Sequence, residues 1–249
     1  MTNAPLRRRA ALRFGAALVT AALVATGCSD SSAPEDSTPA AEGIPSEHGL
    51  SDALVERVLA STVGIDGVAC GRLASGSGFA LTDALIVTNA HVIVGIDEIS
   101  VHTYDGRELE GVPVAFDPVN DLAILDVEGA DLQPLPLTDN TAVGSTGMLV
   151  GWESGPVADP SPYRVDRRVT VRIEAVGATE RVERPAWSVA ADIDVGDSGA
   201  PLVDRTGEVI GVAFATSTAG SSIGYAVRSS AITELVSQGL DPNLTIPGC

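Results

Sequence analysis

With 249 residues, 45% of them apolar and 4% aromatic, the chain is long enough to bury one large core or two small ones. Its formal charge of −18 at pH 7 excludes nucleic acid and anionic lipid headgroups as partners held by charge. All fifteen basic residues are arginine, which excludes a Ser–Lys dyad and lysine Schiff-base chemistry.

Residues 1–28 read as an export signal. Arg7-Arg8-Arg9 and Arg13 precede an apolar run from Phe14 to Ala25, too short and Ala-rich for a permanent membrane span. Ala25-Thr26-Gly27-Cys28 resembles a bacterial lipoprotein box, in which Cys28 becomes the lipidated first residue and anchors the protein to a membrane. Cleavage by an ordinary signal peptidase is the alternative, and the paired arginines leave both general and twin-arginine export open. Residues 29–48 are rich in Ser, Pro and acid and cannot bury enough surface to fold. They read as a disordered tether, and ~20 flexible residues span ~25 Å.

The folded domain is expected over residues 49–249. Ser51 caps a short helix, Asp52–Ala60, with Leu54, Val55, Val58 and Leu59 on one face. Strand patterns follow at 62–65, 78–81, 84–88, 98–104, 112–116, 121–127, 147–151, 163–176, 186–191, 209–215 and 222–227. Asp105-Gly106, Asp117-Pro118 and Thr206-Gly207 are among the turns between them. A helix over Ala231–Gln238, capped by Ser229 or Ser230 and closed by Gly239, ends the domain. Many short strands and a terminal helix predict an all-β fold with sheets closed into barrels.

The chemistry centres on Gly196-Asp197-Ser198-Gly199-Ala200-Pro201, between apolar runs. A serine hydroxyl is a weak nucleophile and needs a tight turn, a neighbouring base and donors for an oxyanion. The glycines beside Ser198 suit that turn, and the N–H groups of Gly196 and Ser198 are the candidate donors. Gly, Asp and Ser also make plain hairpin turns, so the base decides. Of three histidines, His48 lies in the tether and His102 in a strand, where an outward position is expected. His91 stands where the strand Ile86-Val87-Thr88 breaks, well placed to reach a cleft. Asp121 opens an apolar strand, where a carboxylate needs a partner; an imidazolium on His91 is a suitable one. The few His and Cys show no metal-ligand spacing, and neither metal nor cofactor is expected.

VTNAHVIVG (87–95), DPVNDLAIL (117–125) and GDSGAPLVD (196–204), with Gly76-Ser77-Gly78-Phe79 and Ile223-Gly224-Tyr225-Ala226, resemble trypsin-like serine proteases of the bacterial HtrA type, and within it the mycobacterial periplasmic acid-resistance branch. The resemblance spans roughly residues 60–249. It implies two six-stranded antiparallel β-barrels, roughly 60–140 and 145–228, with His91 and Asp121 from the first and Ser198 from the second. It further implies a Cys70–Cys249 disulfide clamping the tail, with two free thiols as the alternative. Ala213-Phe214-Ala215 matches the segment that pairs with substrate backbone, and Gly224 the primary pocket. Asp192 would floor that pocket in a trypsin-like alignment, favouring Arg or Lys. Ala200 stands where the family usually has glycine, adding a methyl near the site.

The resulting expectation is an exported serine endopeptidase acting on envelope proteins, with a protein or peptide as partner. A protease-like peptide-binding or chaperone module with little turnover is the alternative from another class.

Overall fold

The computed structural model describes residues 43–152, 160–217 and 222–249. The export signal, Cys28 and most of the tether lie outside the described residues. The last residues assigned to the tether, 43–48, belong to the fold: the Gly43 carbonyl accepts from Arg164 at 2.8 Å, and the Leu50 N–H donates to His48 Nδ1 at 3.1 Å.

Helix α1 (Asp52–Ser61) leads in, with Val58 buried and Leu54, Val55 and Leu59 packed against the core as its periodicity requires. Ser51 caps it through its carbonyl, which accepts from Leu54 and Val55 at 2.9 and 3.0 Å; its hydroxyl makes no capping bond. Six strands form the first sheet: β1 (Thr62–Ala69), β2 (Arg72–Ala80), β3 (Leu85–Thr88), β4 (Ile99–Thr103), β5 (Glu108–Asp117) and β6 (Leu122–Asp126). Helix α2 (Ala90–Ile93) is a single turn between β3 and β4. The strand order β1-β2-β3-β6-β5-β4 closes through β1 with β4, all antiparallel.

The second sheet comprises β7 (Thr146–Leu149), β8 (Ser161–Glu174), β9 (Arg181–Ala190), β10 (Pro201–Asp204), β11 (Val209–Thr216) and β12 (Ile223–Arg228). It closes in the order β10-β11-β12-β9-β8-β7 through β10 with β7. Both barrels are therefore six-stranded and antiparallel, and closure leaves no sheet edge running the length of the molecule.

Each barrel has its own interior, one built on Val63, Ile65, Ile86 and Leu125, the other on Tyr163, Trp187, Leu202 and Ile210. A third apolar cluster joins them, from Phe79, Val87 and Leu122 to Met148, Val212 and Phe214. That shared cluster fixes the two walls of the cleft. Helix α3 (Ser229–Ser237) buries Ile232 and Leu235 in it. It starts earlier than its pattern predicts because the Ser229 hydroxyl donates to the Thr138 carbonyl at 2.5 Å instead of capping. Past α3 the tail returns to the first barrel, where the Gly95 N–H donates to Pro247 O at 3.1 Å. A Cys70–Cys249 disulfide fastens it, with Cα atoms 5.5 Å apart across 179 residues of sequence. A loop of that length is worth ~5 kcal/mol in the chain-entropy picture.

Candidate active site

Asp117 organises the approach to Asp121. Its Oδ1 accepts the N–H groups of Val119 and Asn120 at 2.9 Å, a side-chain-closed turn that Asp favours. The chain leaves that turn with Asp121 at φ +59°, a left-handed conformation that aspartate tolerates better than most residues. Its carboxylate then faces α2, which follows directly from β3. Oδ1 accepts the backbone N–H of His91 at 2.9 Å, and Oδ2 meets His91 Nδ1 at 2.8 Å. Asn89 donates from Nδ2 to the Asp121 carbonyl at 2.8 Å. The His91 side chain is 38% exposed and that of Asp121 4%. The ring is thus held on its Nδ1 side while the side chain stays partly exposed.

Ser198 is brought up from the second barrel against β2. A Cβ on Gly76 would lie 2.6 Å from the Val92 side chain and 2.9 Å from the Ser198 carbonyl, so this one glycine is pressed between the neighbour of His91 and Ser198 itself. Ser77, fully buried beside it, does most of the holding. Its N–H donates to Ser198 O at 2.7 Å and its hydroxyl to Gly196 O at 2.6 Å. Its own carbonyl accepts from the Thr88 hydroxyl at 2.7 Å. Gly199 adopts φ +92° with the Ser77 carbonyl where a Cβ would stand, so its bareness serves this packing and not a substrate. Asp197 is buried, accepting the Asp194 N–H at 2.8 Å. Among the described residues, no acceptor takes the N–H of Gly196 or of Ser198, and no hydrogen bond joins the His91 ring to Ser198.

Ala200 is fully buried within the second barrel's interior cluster. Its methyl therefore packs away from the cleft, correcting the expectation that it crowds the site. Ala213 is engaged by its own chain: its carbonyl accepts from Gly199 and its N–H donates to Ala200 O, both at 2.9 Å, so its N–H is already committed. The pairing of β11 with β12 shifts between Ala213 and Ala215, putting Phe214 at a bulge. β10 pairs with β11 no further than Val212. The stretch Phe214-Ala215-Thr216 thus has β12 on one side and no strand on the other.

A cavity of about 370 Å³ lies there, lined by Ile193, Gly196, Ser198, Ala215 and Thr216 together with Ser75, Val195 and the carboxylate-bearing Asp194. Asp192 is exposed and outside its lining; the inward residue is Ile193, 7% exposed, which occupies the space where a Cβ of Gly224 would be. His102 lies on the face of β4 opposite buried Val101, where its Nε2 meets Asp66 Oδ2 at 2.9 Å.

Arg184 of β9 escaped the sequence reading altogether. Although charged, it is 1% exposed, and it reaches from the second barrel to donate to Val119 O at 2.9 Å and Asp121 Oδ2 at 3.3 Å. Its guanidinium carbon lies 4.9 Å from the Phe214 ring centroid. Burial pulls the guanidinium below the ordinary arginine range, and Asp121 and then Asp117 oppose that. Ser77 was legible only as part of a resembling motif; no sequence signal marks Arg184.

Residues 76–212 match the trypsin-like peptidase domain family. Serine protease Rv3671c of Mycobacterium tuberculosis is 31% identical over 169 residues, 66% of this chain and 41% of the relative. A probable periplasmic DegP-like serine endoprotease of Halomonas elongata is 40% identical over 146 residues, 57% of this chain and 29% of the relative. The chain thus spans less than half the length of these curated relatives. The crystal structure of the Rv3671c protease from M. tuberculosis in its active form superposes with a TM-score of 0.70 at 26% identity, covering 85% of this chain and 95% of that one. Two closed antiparallel barrels, a His–Asp pair on one, a glycine-flanked serine on the other and a family match across more than half the residues lead to one assignment: the chain belongs to the trypsin-like peptidase domain family.

Proposed function

We propose that the protein is a serine endopeptidase in which Ser198 is the nucleophile, His91 the general base and Asp121 the carboxylate that orients it. The observation that carries this reading is the His91–Asp121 pair, held at two points next to Val92, which with Ser198 flanks Gly76, while the N–H groups of Gly196 and Ser198 are uncommitted among the described residues. His91 takes the Ser198 proton as the oxygen attacks the peptide carbonyl. Asp121 fixes the tautomer and stabilises the imidazolium. The Gly196 and Ser198 amides receive the oxyanion. The imidazolium then protonates the departing amine, and water repeats the sequence on the acyl-enzyme.

The acyl side of the substrate runs along Phe214-Ala215-Thr216 as an added strand. The neighbouring cavity, narrowed where Ile193 stands against Gly224, takes a small side chain. Substrates are proteins of the cell envelope, consistent with the Arg-rich apolar N-terminus and with the periplasmic relative. Cys28 carries a lipid that holds the protein at the membrane.

A fluorophosphonate probe tests the chemistry. The full-length protein should label, and Ser198→Ala and His91→Ala should not. Absence of labelling in a folded wild-type protein would replace this reading with the peptide-binding module. Cys28→Ser should move the protein out of the membrane fraction; its retention there would refute the anchor.

A further inference from the structure

A second cavity, of about 570 Å³, adjoins the one beside Ser198 at Gly196. The two share Ser75, Val195 and Gly196, but the larger one is walled by the first barrel through Ile65, Leu73 and Tyr104 and by Trp152 from the second. Its exposed apolar surface is unusual in being concentrated: Val195 is 95% exposed, Leu73 78% and Tyr104 48%. The charged groups in its wall are all engaged. Asp66 is bonded to His102, while Arg107 donates to Asp105 at 2.8 Å and to the carbonyls of Gly129 and Ala130 at 2.7 and 2.8 Å. The cavity therefore offers concentrated apolar surface beside charged groups that are each already paired.

The wall is also coupled to the serine loop. The Trp152 N–H donates to the Ser77 hydroxyl at 2.7 Å, and that hydroxyl donates to Gly196 O at 2.6 Å. The Trp152 indole occupies the space where a Cβ of Gly64 would be, wedging it against β1. A scissile carbonyl placed at Ser198, with its oxygen on the Gly196 N–H, sits where the two cavities meet. If the acyl side takes the open edge of β11, the leaving side has to pass into the larger cavity.

Resting on the endopeptidase reading above, we infer that this cavity binds the leaving-group side of the substrate and selects a large apolar side chain within the first two residues after the scissile bond. The occupant is a polypeptide segment bearing Leu, Ile, Met or Phe there, anchored between Leu73, Tyr104 and Trp152.

The test is cleavage of a proteome-derived peptide library by the full-length protein, with sequencing of the new N-termini, which read this side of the cut directly. Leu, Ile, Met and Phe should be enriched in the first two positions. Matched peptides carrying Leu in place of Ala there should be cleaved about tenfold faster in kcat/KM. Leu73→Asp should abolish that ratio, and Tyr104→Ser should lower it; both positions are exposed enough that at least one variant will fold. A flat profile, or a preference unchanged in both variants, overturns the inference. If the fluorophosphonate labels Ser198 while this preference is missing, the cavity assignment fails alone. If neither labelling nor cleavage occurs, the endopeptidase reading fails and the cavity assignment with it.

Discussion

The first barrel carries two histidine–aspartate pairs, joined at 2.8 Å and 2.9 Å, which differ in almost everything except that distance. Asp66 stands in the middle of β1, diagonal to His102 on β4: the register sets His102 opposite Gly64 and Asp66 opposite Ser100. Its side chain is 40% exposed, so water competes for the carboxylate. Asp121 is 4% exposed and over-determined. It receives the His91 ring, the His91 backbone N–H and Arg184, while Asn89 holds its carbonyl. Contact distance alone therefore does not distinguish the dyad proposed for catalysis from a cross-strand surface pair. The difference lies in burial and in the number of groups that would have to move for the carboxylate to turn.

The largest effect should come from Asp121→Asn. An amide facing His91 Nδ1 presents a donor or a single weaker acceptor, and the ring can settle in the tautomer that leaves its other nitrogen protonated. A labelling rate lower by a factor on the order of 10⁴ is expected, with little change in fold. A loss of less than tenfold would mean that Asp121 is no more committed to its histidine than Asp66 is.

Arg184→Met should come next, read as stability. Methionine fills a similar volume but leaves Asp121 buried with one cation fewer and the Val119 carbonyl without its donor. Breaking a buried pair by removing one partner costs on the order of 3 kcal/mol, measurable as a shift in denaturant midpoint. Arg184→Lys should recover only part of it, because a lysine cannot reach Val119 O and Asp121 with the same fork. Equal stability of Arg184→Met and the parent would show that the pair between barrels contributes nothing net.

His91, Asp121 and Ser198 were legible because each sits in a short local pattern: a strand broken by a turn, an Asx turn leading into an apolar strand, and a glycine-flanked serine. The two-barrel architecture came from the resemblance, while periodicity alone supplied eleven of its strands and the flanking helices. Arg184 was illegible because its environment is made by a distant segment. The strand expected at 186–191 leaves Arg184 outside it, yet β9 begins at Arg181. Pro185 is tolerated because β12 pairs with β9 only from Ala186 onward, where the missing N–H no longer matters. Arg184 faces inward there because Asp121 and Phe214, from two other parts of the chain, make that position an interior one. In the same way, the burial of Ala200 in the second barrel and the bonds of Ala213 to Gly199 and Ala200 depend on neighbours that their own stretch does not reveal.

The smallest effect separates the two pairs most cleanly. Asp66→Asn keeps the shape of the side chain and removes its charge from His102. The partners are 40% and 29% exposed and are held by one contact each, so both recover most of their hydration when the pair is lost. A pair of this kind is worth less than about 1 kcal/mol. The variant's denaturant midpoint should therefore lie close to the parent's, and its labelling rate should stay at least a hundredfold above that of Asp121→Asn. If Asp66→Asn instead destabilised the fold as much as Arg184→Met, the surface pair would be holding β1 against β4. Burial would then no longer account for the contrast between the two dyads.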